Sequence, residues 1–213
     1  MKVEIWSDVA CPFCYIGKRS FENALEQFEH KDDVDVTWRS FQLDPSMPTS
    51  VEGGLDGLLA RKYGKTPEEA RAMNQRVVDM AAGVGLEYHL DRAQPGNTLD
   101  AHRVLHLARA RGLQDAVKER FLRAYFGEGE LLSDHPTLVR LAAEVGLDAD
   151  EVERVLAGDA YEDTVRAEGE EAQQLGLGGV PAFVLDRRLL VSGAQPPEAL
   201  LGALQQAWES RPA

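Results

Sequence analysis

The chain has 213 residues, and 36 Asp plus Glu against 23 Lys plus Arg leave a net charge of −13. That length buries a real core, on the order of 70% of the unfolded surface, while the acidity argues against a nucleic-acid partner or docking on an anionic membrane, since both need a basic face. No apolar run approaches the roughly 18 residues of a bilayer span. The opening MKVEIWSDVACPFC has no basic segment followed by an apolar one, so the expectation is a cytoplasmic protein.

Residues 2–7 (KVEIWS), with Val3, Ile5 and Trp6, suit a short strand. Ile16, Phe21, Leu25 and Phe28 recur at helical spacing and predict a helix from Pro12 to His30. Residues 34–41 alternate as a strand should. After the turn DPSMP (44–48) nearly everything to Gly158 reads as helical. Thr66–Pro67–Glu68–Glu69 is a helix start; further helices fit 98–111, 113–126, 134–145, 149–157 and 160–175, with Gly112, Gly127, Gly146 and Gly158 as breaks. Beyond LGLGG (175–179), AFVLD (182–186) and RRLLVSG (187–193) read as a tight hairpin turning at Asp186–Arg187. Pro196 and Pro197 open a last amphipathic helix. The order is β-α-β, a large helical stretch, then α-β-β-α.

Only two cysteines occur, Cys11 and Cys14, separated by Pro12 and Phe13. A stapled secreted scaffold would carry more, at wider spacing. Zinc would need two further ligands. His102 and His106, at i and i+4, could supply them, but no Glu follows His102 (it is Arg103), and packed or solvated histidines are the simpler reading. A CxxC that follows a strand and opens a helix has a different logic. The helix N-terminus offers free N–H groups and partial positive charge, which stabilise a thiolate. Cys11 is expected at the N-cap, exposed and titrating well below an ordinary thiol; Cys14 lies on the same helical face, within disulfide reach and shielded. Pro12 suits the first turn, and Phe13 adds neither charge nor hydrogen bond.

Four segments, SDVACPFCYIG (7–17), GNTLDAHR (96–103), GVPAFVL (179–185) and SGAQPPEAL (192–200), together resemble the thioredoxin superfamily, in its DsbA-like, FrnE-like branch. The resemblance implies an α/β thioredoxin fold with a central four-stranded mixed sheet. Its thioredoxin domain would be discontinuous, 1–47 and 159–213, interrupted by an all-helical domain over 48–158. It implies an enzyme, a thiol–disulfide oxidoreductase with disulfide isomerase activity, in which Cys11 attacks and Cys14 resolves. It further implies a cis Pro181 against the site, Val180 presenting its backbone to an extended substrate beside Pro12 and Phe13, and Asn97 and His102 lining a groove. The expected partners are protein thiols and disulfides, met by a monomer; no cofactor or metal is expected beyond the cysteine pair, with glutathione as a co-substrate. One departure stands out. Relatives keep a buried acid six residues before the first cysteine, where this chain has Ile5; alternation aims Glu4 at the opposite face, leaving water or Asp8 to deprotonate Cys14. Two other classes fit the same fold. A glutathione-dependent isomerase or transferase resembling 2-hydroxychromene-2-carboxylate isomerase uses Ser in place of Cys11 and has no need of Cys14, so the intact pair favours the oxidoreductase. The other is a binding protein whose thiols sense oxidants.

Overall fold

The computed structural model describes residues 1–211. Strands β1 (Lys2–Ser7), β2 (Asp35–Ser40), β3 (Ala182–Leu185) and β4 (Leu189–Ser192) form one sheet in the order β2-β1-β3-β4. β1 runs parallel to β2 and antiparallel to β3, which pairs antiparallel with β4. The sheet is therefore the four-stranded mixed one that the resemblance implies.

β1 is central, and its alternation divides the core. Val3 and Ile5 meet Phe21, Ala24 and Phe28 of α1 (Pro12–Glu26) and Leu200 and Leu204 of α9 (Pro197–Glu209). Trp6 faces the other way, with Ala182 and Val184, onto Ala172 of α8 (Glu162–Gln174). Fully burying each large apolar side chain contributes about 1.5–3 kcal/mol, so both faces are needed to hold so small a sheet. The β3–β4 hairpin turns where expected. Asp186 and Arg187 take left-handed backbone angles (φ +46° and +56°), and the Asp186 carboxylate accepts the Lys2 N–H at 2.6 Å.

Residues 48–158 contribute no strand. They form α2 (Gly54–Tyr63), α3 (Pro67–Ala82), α4 (Leu99–Ala110), α5 (Gln114–Arg123, prolonged by a π turn over Ala124–Glu128), α6 (His135–Glu144) and α7 (Ala149–Ala157). Thr66 caps α3 in a capping box with Glu69, as its sequence predicts. The core of these helices includes Val104, Phe121, Phe126 and Leu141 and runs on without a break into Val9, Tyr15 and Ile16, which flank the cysteines. Two boundaries differ from expectation. α1 stops at Glu26 instead of His30, because the Gln27 N–H turns back to the Ala24 carbonyl and the Phe28 N–H to that of Leu25, and a 3₁₀ turn over Lys31–Asp33 follows. α2 is a separate helix with glycine at both caps, which the general helical reading did not single out. No helix among the described residues is long and apolar enough to cross a membrane.

Candidate active site

The chain leaves β1 at Ser7, turns through Asp8–Ala10 and enters α1 with Cys11 as N-cap and Pro12 in the first turn. Pro12 fits there because a first-turn N–H has no helical partner to lose. Cys14 follows one turn later on the same face. Both are free thiols. The Cys11 S–H donates to the Val180 carbonyl at 3.6 Å, and the Val180–Pro181 peptide is cis. Pro181 lies directly on α1: a Cβ added to Gly17 would come within 2.8 Å of its Cγ, so only glycine admits this approach. Phe13 points outward and is 38% exposed, whereas the Pro12 carbonyl accepts the Tyr88 hydroxyl at 2.7 Å.

The expectation of an exposed, low-titrating Cys11 needs correction. Cys11 is 3% exposed and Cys14 fully buried. The hydrogen bond it shares with Cys14, burial and the Cys14 charge push the Cys11 thiol well above the ordinary range. Burial also works against charge on Cys14, yet the Cys11 hydrogen bond, the Lys118 ammonium and the Ser7 hydroxyl bring its thiol below that range. The physical reason lies in the helix end. The Cys14 N–H does favour charge on the Cys11 sulfur, but Pro12 has no N–H to add, and this one backbone donor is outweighed by burial and the neighbouring Cys14 sulfur. Ionisation belongs to the pair, one proton lost easily and one held, with the anion on the inner sulfur.

Around the sulfurs stand three buried polar side chains. Asp8 is enclosed; burial would raise its carboxyl, but His102 Nε2 at 3.2 Å and the Leu43 N–H at 2.8 Å hold it below the usual range. Burial keeps His102 low despite that partner, so the neutral ring donates to the carboxylate. His106, four residues on, is engaged elsewhere, 3.0 Å from Ser40 Oγ and 3.3 Å from Glu168, so the two histidines do not converge on the cysteines. The third side chain is Lys118 of α5, 1% exposed, its ammonium 5.6 Å from the centre of the Trp38 ring. Burial brings it down to about 8, against the pull of Cys14, Asp8 and Cys11.

Asn97 sits at one remove. Its Nδ2 donates to the Met47 and Pro45 carbonyls at 2.8 and 3.1 Å, and its Oδ1 accepts the Leu99 N–H at 2.9 Å. It ties loop 41–53 to the start of α4, and that loop in turn supplies Leu43 to Asp8. Lys118 is the functional candidate the sequence reading missed. Its signal is legible in retrospect: Gln114, Val117, Lys118, Phe121 and Leu122 share one buried stripe, and a lysine there is out of character.

A model of the DSBA-like thioredoxin domain family matches residues 2–205. Among solved structures, a probable DsbA oxidoreductase from Streptomyces coelicolor superposes with a TM-score of 0.95 at 47% identity, over 100% of this chain and 92% of that one. The cytosolic disulfide reductase DsbM from Pseudomonas aeruginosa, with GSH, gives 0.68 at 21% identity over 98% and 100% of the two chains. A 2-hydroxychromene-2-carboxylate isomerase gives 0.73 at 16% over 98% and 97%. The last two likenesses, at low identity, speak for the fold alone. With its mixed sheet, its CxxC at the head of α1 and a family match over nearly its whole length, the chain belongs to the DsbA-like thioredoxin-domain family.

Proposed function

We propose that the chain is a thiol–disulfide oxidoreductase acting on protein substrates, with Cys11 the attacking sulfur and Cys14 the resolving one. The observation that carries this reading is the pair itself: two free thiols one turn apart, the outer against the Val180 carbonyl and the inner fully buried beside a cation. The Cys11 proton passes to the Cys14 sulfur along the hydrogen bond they share, and the Cys11 thiolate so formed attacks a substrate disulfide RS–SR′, forming Cys11–S–S–R and releasing R′S⁻. Cys14 then attacks the Cys11 sulfur, closing the Cys11–Cys14 disulfide and releasing RS⁻. Two electrons pass to the substrate, and the two thiol protons end on RSH and R′SH. Run backwards, the same steps oxidise a dithiol. If the mixed disulfide is instead attacked by another substrate thiol, the net result is isomerisation.

Val180 offers its backbone to an extended substrate segment as an added strand, with exposed Phe13 and half-buried Pro12 as the apolar rim and Pro181 beneath. Asn97 and His102 act at one remove, through the loop and Asp8. Glutathione is the co-substrate that resets the pair, and the enzyme works as a cytoplasmic monomer. Supporting the glutathione and the cytoplasmic parts of this reading is a structural neighbour described as a cytosolic disulfide reductase with GSH. The test is Cys14→Ser. Without the resolving sulfur, mixed disulfides accumulate on Cys11 and insulin reduction stops at one equivalent. A Cys14→Ser variant that turns over like the wild type contradicts the reading and points to single-sulfur glutathione chemistry.

A further inference from the structure

A resolving cysteine must lose its proton in a place that water barely reaches. Where relatives keep an acid on the first strand for this, the chain has Ile5, fully buried between Trp38 of β2 and Phe183 of β3. Glu4 gives no help, because it faces the opposite side of the sheet and is held by Arg39 and Arg187. Asp8 is close, but its carboxylate already accepts from His102 and Leu43, and its negative charge opposes a thiolate.

Lys118 is the remaining group. A buried ammonium ordinarily has a carboxylate within ion-pair distance. Among the described residues Lys118 has none; its neighbour in the cluster, Lys18, has taken Glu22, Asp115 and Glu119. Instead it lies over the Trp38 ring, and the groups that favour its charge are the Cys14 sulfur, Asp8 and the Cys11 sulfur. The fold fixes it there. One turn earlier, Gln114 grips the backbone of Trp38 on both sides, accepting its N–H at 3.1 Å and donating to its carbonyl at 2.9 Å, and the next residue, Asp115, accepts the Trp38 indole N–H at 2.8 Å. Ser7, the last residue of β1, is fully buried, and its hydroxyl has no hydrogen-bond partner among the described residues.

We propose that Lys118, carried by the helical segment and not by the sheet, is the positioning cation that holds Cys14 as a thiolate and so governs closure of the Cys11–Cys14 disulfide. The inference rests on the oxidoreductase reading. In the step it serves, a bond forms between the Cys14 and Cys11 sulfurs, the Cys11–substrate bond breaks, and the electron pair of that bond leaves on RS⁻. The proton given up by Cys14 ends on RS⁻ as RSH, and Lys118 keeps its own. The charged and titratable groups facing Lys118 are Cys11, Cys14 and Lys18 from α1, Asp8 from the turn before it and His102 from α4.

The test titrates the reduced protein by thiolate ultraviolet absorbance and equilibrates it with glutathione buffers, for wild type, Lys118→Met and Lys118→Arg. Lys118→Met is expected to raise the first thiol ionisation by about one pH unit or more. It is also expected to shift the dithiol–disulfide equilibrium about tenfold toward the disulfide, about 30 mV for two electrons; Lys118→Arg recovers most of both. A measurement on the unaltered protein guards against misfolded variants: the Lys118 side chain, followed by nuclear magnetic resonance, loses its proton at lower pH in the oxidised protein, where the anion is gone. Insulin turnover by the wild type reports on the oxidoreductase reading, and the titration midpoint reports on Lys118, so the two failures are distinct. A first ionisation unchanged in Lys118→Met, or a Lys118 titration identical in both redox states, overturns the proposal.

Discussion

Two clusters of buried charge lie within four residues of each other along β1, and they are built in opposite ways. On the α8 side, Glu4 is held by Arg39 and Arg187, while Glu168 receives Arg39 at 2.6 Å, the Ser40 N–H at 2.6 Å and His106 at 3.3 Å. Burial alone would raise both carboxyls, but these partners bring each down to about 2. Just past the end of β1, Asp8 and His102 satisfy one another, yet among the described residues Lys118 has no carboxylate within ion-pair distance, and burial brings it to about 8. The difference teaches what pairing does. Matched charges stay fixed across the working pH range and serve as structure. An unmatched one is left near its titration point, free to respond to the redox state of a neighbouring sulfur.

Breaking the matched cluster should cost most in stability. Glu168→Gln leaves Arg39 without one of its two carboxylates in a buried setting, and equilibrium denaturation should report a loss of about 3–5 kcal/mol. Thiol titration should hardly move, because the cluster faces away from the cysteines. Acid sharpens the same point. Both glutamates titrate lower folded than unfolded, so their contribution is complete above about pH 4.5 and is lost as pH falls toward 2. The wild type should destabilise over that window, and Glu168→Gln should flatten part of the slope in a denaturation series against pH. A smaller effect is expected at the other cluster. His102→Ala removes one of the donors to buried Asp8 and should cost about 1–3 kcal/mol. Its thiol midpoint should shift less than that of Lys118→Met; a larger shift would move the controlling charge from Lys118 to Asp8.

Much of this was legible in the chain because its signals are local. The Cys-Pro-Phe-Cys run after an alternating strand, the hairpin at Asp186–Arg187 and the cap at Thr66 each lie within a few residues of what they determine. The end of α1 was overrun because Phe28 continues the apolar spacing while packing edge-on against Trp208 from beyond the helix. The electrostatics of the cysteines were not legible, since they depend on groups distant in sequence. Val180 is 169 residues from Cys11, and Lys118 reaches the site only because Gln114 grips Trp38. Helix-terminus reasoning assigned the anion to the outer sulfur; tertiary burial and a cation from α5 assign it to the inner one.

The most direct test of the central claim, that Cys11 and Cys14 form a single redox couple, is a count of free thiols by mass spectrometry across a series of glutathione buffers. The account predicts that the wild type passes from two free thiols to none in one two-electron step, with an intramolecular disulfide and no lasting glutathione adduct. Independent glutathionylation of the two cysteines, or thiols that remain free across the whole series, would contradict it.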